Sequence, residues 1–210
     1  MTKVAPEHKI ASIEQLEAIY GFAKGGAVAK EIDHISDHYR AFIEASPFAM
    51  LASVAEEGTD CTPRGDPKGQ FCRVVDEKTV MMPDRNGNNR VDTLRNIVRD
   101  GRCSLLFLVP GVGETLRING RAELSIDPEL LASFEMQGKL PRSIMVLHVE
   151  RVYFQCQKAL VRSQLWDVEA QVPRSALPTT GQMIKALTKD EFDAAEYDRN
   201  YPQHMAKTIY

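Results

Sequence analysis

A chain of 210 residues with 43% apolar side chains has the material for a real hydrophobic core, as one decorated domain or two small ones. Its net charge of −3 and pI near 6.0 remove the bulk electrostatic reason for a nucleic-acid or anionic-membrane partner. No apolar run reaches the roughly 18 residues of a bilayer span, and MTKVAPEHKIASIEQ lacks the apolar centre of a secretory signal, so a cytoplasmic location is expected.

The first predicted helix is SIEQLEAIY, residues 12–20, with Ser12 as cap and Gln15 completing a capping box. A longer amphipathic helix is predicted over 27–45. Val28, Ile32, Ile35, Tyr39, Phe42 and Ile43 recur there at helical spacing, and Ser46-Pro47 stops it. His34 and His38 stand four apart in it, but no third metal ligand is near, so they read as a solvated face. Strands follow at 48–54, around 60–64, at 71–75 and at 79–83, the last two joined by a DEK hairpin turn. A helix is predicted from about Asn89 to Val98. Strands then occupy 104–110 and 114–126. The intervening GVG lies between strands with no helix after it, and therefore reads as a turn and not as a dinucleotide loop. Asp127-Pro128 opens a helix to about Gln137, a long strand covers 143–156, and KALVRSQLW is a short helical segment. The last 40 residues read as a polar, proline-bearing extension.

Sequential strands with one inserted helix predict an antiparallel sheet that curls into a barrel to hide its edges. The absence of a βαβα rhythm disfavours a doubly wound sheet. Cys61, Cys72, Cys103 and Cys156 form no CxxC pair and lie in or beside apolar strand patterns. They are expected as buried small hydrophobes, not zinc ligands.

The most informative stretch is PDRNGNNRVDTLRNI, residues 83–97. It runs from a strand end into a helix with three arginines, four amide side chains and Gly87. Guanidinium forks match phosphate oxygens, and the first N–H groups of a helix carry partial positive charge. Gly87 allows a close backbone approach or a positive φ. Trp166, the only tryptophan, either packs or walls a planar aromatic ligand. No residue pattern declares a nucleophile or a catalytic acid–base pair, so the catalytic residues stay unknown.

Six motifs in order carry a resemblance: LEAIYG (16–21), TPRGD (62–66), VVDEKTVMMPDRNGNNRVDTLRNI (74–97), SLLFLVPG (104–111), ETLRINGRAEL (114–124) and KALVRSQLW (158–166). The chain resembles the pyridoxamine 5′-phosphate oxidase-related FMN-binding flavoproteins, in their uncharacterised FMN-dependent branch, over roughly residues 12–187. The resemblance implies a mainly β, antiparallel split β-barrel with flanking helices. It also implies helices over 1–46 packed on the barrel, an FMN-binding core over 47–157, and a cofactor-covering segment and arm over 158–210. It places the FMN phosphate at Asp84, Arg85, Asn88, Asn89 and Arg90, with Arg64 reaching the flavin or its phosphate. Thr115 and Arg117 would border the isoalloxazine, and Arg162 and Trp166 would cover the cofactor, commonly from the second subunit of a homodimer. The implied activity is an oxidoreductase on a small organic molecule, with neither nucleic acid nor membrane as partner and no metal. A non-catalytic flavin or haem-type carrier or sensor, and a deazaflavin-dependent reductase, are the alternatives. Gln70 and Cys72 depart from the hydrophobic residues usual in that strand. No Arg-x-His element follows Trp166, which speaks against pyridoxamine phosphate as substrate.

Overall fold

The protein is described by a computed structural model over residues 4–188 and 191–210. Seven strands, β1 (Phe48–Ala55), β2 (Gly58–Gly65), β3 (Arg73–Val74), β4 (Thr79–Asp84), β5 (Arg102–Leu108), β6 (Thr115–Ser125) and β7 (Ser143–Gln155), form one sheet. Its order is β2-β1-β5-β6-β7-β4-β3, and every pairing is antiparallel. The helices are α1 (Ile13–Tyr20), α2 (Gly26–Ala29), α3 (Asp37–Ala45), α4 (Asp92–Arg99), α5 (Pro128–Ala132), α6 (Lys158–Ser163), α7 (Thr180–Leu187) and α8 (Ala194–Thr208).

The sheet is amphipathic because its strands alternate. Ala49, Leu51, Leu105, Phe107, Leu116 and Ile118 are fully buried on the inner face. Each such Leu, Ile or Phe contributes about 1.5–3 kcal/mol. Helix α4 covers that face, with Ile97 in the core and Asn96 Nδ2 donating to Ser53 Oγ at 3.2 Å. Two ion pairs close the curl. Arg64, at the end of β2, pairs with Asp84, at the end of β4, and Asp66 pairs with Arg85 at 2.7 Å. These strands stand five places apart in the sheet order, so the pairs staple its two sides into an open barrel. The β6–β7 register shifts between Asn119 and Gly120, which pair with Arg151 and Val149 and leave Glu150 as the extra residue of a bulge on β7. A Cβ on Gly120 would sit 2.0 Å from the His148 carbonyl oxygen, so the glycine of the ETLRING element is there for backbone approach.

Several sequence expectations are corrected. The single helix over 27–45 is two helices, because Ile32 leaves helical geometry to pair with Val152 and Ser36 caps α3 through Tyr39 N. Gln15 does not close a box on Ser12; its side chain accepts from Ala11 N at 2.7 Å. Helix α4 begins at Asp92, not Asn89, since Asn89 is left-handed at φ 60, a conformation asparagine tolerates. Helix α5 ends at Ala132. The extension is not bare: it carries α7, with a full capping box at Thr179 and Gln182, and α8. Only Cys72 and Cys103 are buried. Cys61 is exposed because it points outward from an edge strand, and Cys156 because it lies just past the end of β7. No helix among the described residues is long and apolar enough to cross a membrane.

Candidate functional site

Where β2 and β4 meet, a cleft of about 250 Å³ opens between TPRGD, the strand end at Asp84 and the loop leading to α4. Chain geometry makes it. The Arg64–Asp84 pair draws β2 against β4, and Arg85 is fixed from two sides, its Nε on Asp66 and its Nη1 on the Phe134 carbonyl, each at 2.7 Å. Beyond it the loop is self-braced: Arg90 N donates to Asn88 Oδ1 at 3.0 Å and Arg90 Nε to Asp92 Oδ2 at 2.7 Å. Helix α4 has no side-chain cap, so its first N–H groups keep their unsatisfied partial charge.

Four arginines, Arg64, Arg85, Arg90 and Arg142, line the cleft against two aspartates, Asp66 and Asp84. Arg64 Nε and Arg85 Nη2 are buried side-chain donors with no hydrogen-bond partner among the described residues. Leaving a buried charged donor unpaired costs on the order of 1–3 kcal/mol. An oxyanion in the cleft would recover that energy.

Of the ten residues assigned in the sequence, six come together here: Arg64, Asp84, Arg85, Asn88, Asn89 and Arg90. Gly87, expected to allow a close backbone approach or a positive φ, does neither: a Cβ there would meet nothing within 4 Å, and the positive φ of this loop belongs to Asn89. The other four lie elsewhere. Thr115 and Arg117 stand in register with Leu108 and Leu106, and through β1 with Phe48 and Met50, which puts them on the outer face, opposite to the Arg64 side. Arg117 Nη1 donates to the Tyr153 hydroxyl at 3.1 Å. Arg162 is exposed on α6. Trp166 Nε1 donates to the Val112 carbonyl at 2.8 Å, which ties its segment to the β5–β6 hairpin.

Arg142 was not legible in the sequence. It precedes β7 in an unremarkable loop, and only the Asp84–Ser143 register brings it to the cleft. There its backbone N–H donates to Asp84 O at 2.9 Å and its Nη1 to Asn89 Oδ1 at 2.5 Å. Asp66 and Phe71 also line the cleft. Aspartate 66 was readable only as part of the TPRGD motif.

Among known proteins, the family model described as pyridoxamine 5′-phosphate oxidase matches residues 35–156. No curated protein sequence matches. Among solved structures, HupZ of Group A Streptococcus is 21% identical, covering 56% of this chain and 91% of that chain, with a TM-score of 0.46. A candidate pyridoxamine 5′-phosphate oxidase from Lactobacillus delbrueckii is 17% identical over 58% of this chain and 95% of its own, also at 0.46. A protein of Mesorhizobium loti described as FAD-binding is 15% identical over 54% and 87%, at 0.38. The family model spans more than half of the chain and takes in the curled sheet, the TPRGD strand and the whole Arg/Asn loop, and so the chain belongs to the pyridoxamine 5′-phosphate oxidase family.

Proposed function

We propose that this chain is an FMN-binding flavoprotein, an oxidoreductase on a small organic molecule, with its cofactor at the interface of a homodimer. The observation that carries the reading is the pair of buried, partnerless guanidinium donors on Arg64 and Arg85 in an arginine-rich cleft before an uncapped helix. That donor set suits a phosphate monoester better than a carboxylate, because three phosphate oxygens can take donors from several directions. FMN, when bound, supplies the redox chemistry.

In this reading the chain's residues bind and orient. Arg64 and Arg85 direct Nε–H and Nη2–H at the phosphate. Asn88, Asn89 and Arg90 close the loop around it, and Asp84 and Asp66 hold the two guanidinium groups in place. Arg117, beside the ring, would favour added negative charge there and raise the reduction potential. Thr115, Arg162 and Trp166 border or cover the ring from the second copy. Two features support a second copy: the apolar side chains Met50, Leu106 and Leu108 half-exposed on the outer face, and Ile13, Leu16 and Ile19 exposed on α1.

The test is direct. Purified protein should show flavin absorption bands, retain FMN over riboflavin, and be reduced by NADH or NADPH. It should sediment at about 47 kDa, twice the 23.5 kDa chain mass. A protein that binds riboflavin and FMN with equal affinity refutes the phosphate assignment. A monomer that holds FMN tightly refutes the shared site.

A further inference from the structure

Three polar side chains from separate stretches of chain meet at the outer face of the sheet. Arg117 on β6 and Tyr153 on β7 are register partners. Arg117 Nη1 donates to the Tyr153 hydroxyl at 3.1 Å, and the guanidinium carbon lies 5.6 Å from the centre of that ring. Lys30 follows α2. Its ammonium lies 5.9 Å from the centre of the same ring and 4.9 Å from that of Phe154. The Lys30 backbone is pinned twice. The Tyr39 hydroxyl donates to its carbonyl at 2.6 Å, and Ile32, two residues on, exchanges hydrogen bonds with Val152 at 3.1 and 2.8 Å.

Two cations thus stand beside one phenol ring, and among the described residues neither has a carboxylate partner. Glu31, next to Lys30 in the chain, pairs instead with Arg151 at 3.8 Å. Each cation–ring contact is favourable alone, but the two charges repel, and in a half-buried setting water screens them incompletely. The hydrogen-bond inventory is one-sided as well. The Tyr153 oxygen already accepts from Arg117, so its own proton is free to donate. Arg117 keeps Nε–H and Nη2–H, and Lys30 keeps its N–H groups. The cluster offers donors and positive charge only, which calls for a ligand group that is negative and accepts only.

Resting on the flavin assignment above, we propose that Lys30, Arg117 and Tyr153 bind the carboxylate of a planar organic acid, which lies against the flavin held in the Arg64 cleft of the other copy. Arg117 is the residue assigned beside the ring, so an anion that it holds lies at the ring's edge. A carboxylate accepts only, and its two oxygens match the Nε–H and Nη2–H side of the guanidinium fork, with the phenol and the ammonium completing the set. The register row continues from Tyr153 and Arg117 through Leu106 and Met50 to Pro63, an apolar strip that suits the body of such an acid. A phosphate ester is the poorer match, because its three oxygens need donors from more directions than one sheet face supplies.

The test uses the full chain, titrated first with FMN and then, once saturated, with benzoate. Calorimetry reads binding, and the flavin absorption bands read contact with the ring. Benzoate should bind saturably and perturb the bands, and benzamide, which has the same shape without the charge, should bind about tenfold or more weakly. Lys30→Met and Tyr153→Phe should each weaken benzoate about tenfold and leave FMN affinity within about twofold, and Lys30→Arg should recover most of the loss. Equal binding of benzoate and benzamide, or benzoate affinity unchanged in both variants, overturns the proposal and leaves FMN binding standing. So does benzoate that binds without moving the flavin bands, or phenyl phosphate that binds more tightly than benzoate. If the first titration shows no FMN binding, the flavin assignment has failed and the proposal falls with it.

Discussion

Replacing Arg64 with methionine separates a buried phosphate ligand from an exposed one. Methionine keeps the length of the stem and removes the guanidinium. The Arg64 side chain is 22% exposed and its Nε is buried without a partner, whereas the Arg90 side chain is 81% exposed and already engaged with Asp92. A hydrogen bond to a charged group is worth about 1.5–3 kcal/mol when it is sheltered, which is about 10- to 150-fold in affinity. Arg64→Met should weaken FMN binding by that factor. Arg90→Ala, its charge screened by water, should cost about 1 kcal/mol or less, roughly fivefold. Calorimetric titration with FMN and riboflavin measures both, and riboflavin should bind the two variants and wild type within about twofold. The same substitution strands Asp84, whose side chain is 15% exposed, and unstitches the seam between β2 and β4. Partial exposure discounts the ~3–5 kcal/mol of a fully buried broken pair, so a stability loss of about 1–3 kcal/mol is expected in denaturant titration of the ligand-free protein. If Arg64→Met binds FMN like wild type, or loses riboflavin by the same factor, the phosphate is not held at this seam.

Gly120→Ala should destabilise the fold by about 3 kcal/mol in urea unfolding, because a methyl meets the His148 carbonyl where β6 faces the β7 bulge; a neutral result would mean the bulge relaxes freely. Burial pushes the Cys72 thiol up, and that of Cys103 up to about 12, so a thiol reagent at pH 8 should label the exposed Cys61 and Cys156 fast and those two only on unfolding. Both buried thiols stay protonated in the folded chain while the unfolded chain ionises them near pH 8.5, so stability should fall as pH rises above about 8.5, a trend that serine replacements of both should flatten. FMN should quench Trp166 fluorescence strongly, and an unchanged signal would leave the indole as a hairpin clamp on Val112.

The sheet was legible because its signals are local. Alternation marks β1, β6 and β7, the DEK turn joins β3 to β4, and Asp127 caps α5 through Glu129 N and Leu130 N. The anion cleft was legible because the chemistry of residues 83–97 is concentrated in one run. What escaped depends on contacts distant in sequence. The pattern at 27–45 has helical spacing, yet Ile32 is claimed by Val152, 120 residues on. Arg142 joins the site only through the β4–β7 register. The helix α7 was hidden by composition, since its Thr179–Gln182 capping box sits in a stretch rich in proline and polar residues.

One geometric fact bears on how many chains make a site. Arg64 shares the inner face with Ala49 and Phe107, while Arg117 shares the outer face with Leu106 and Met50. Between β2 and β6 stand two strands, so the two side chains are separated by roughly three strand spacings of about 4.8 Å as well as by the sheet itself. A single flavin that touches both would have to take them from different copies, Arg64 from one and Arg117 from its two-fold mate. This predicts complementation. Arg64→Met and Arg117→Met homodimers should each be largely empty at an FMN concentration that fills wild type. Coexpression makes mixed dimers in which one site carries both substitutions and the other carries neither. With random assortment about half the dimers are mixed, so about a quarter of all sites should regain wild-type affinity. Flavin absorbance of the doubly tagged fraction reads this out directly. If the mixed dimers stay as empty as the parents, both arginines serve one site from the same chain, and the shared-site arrangement is wrong.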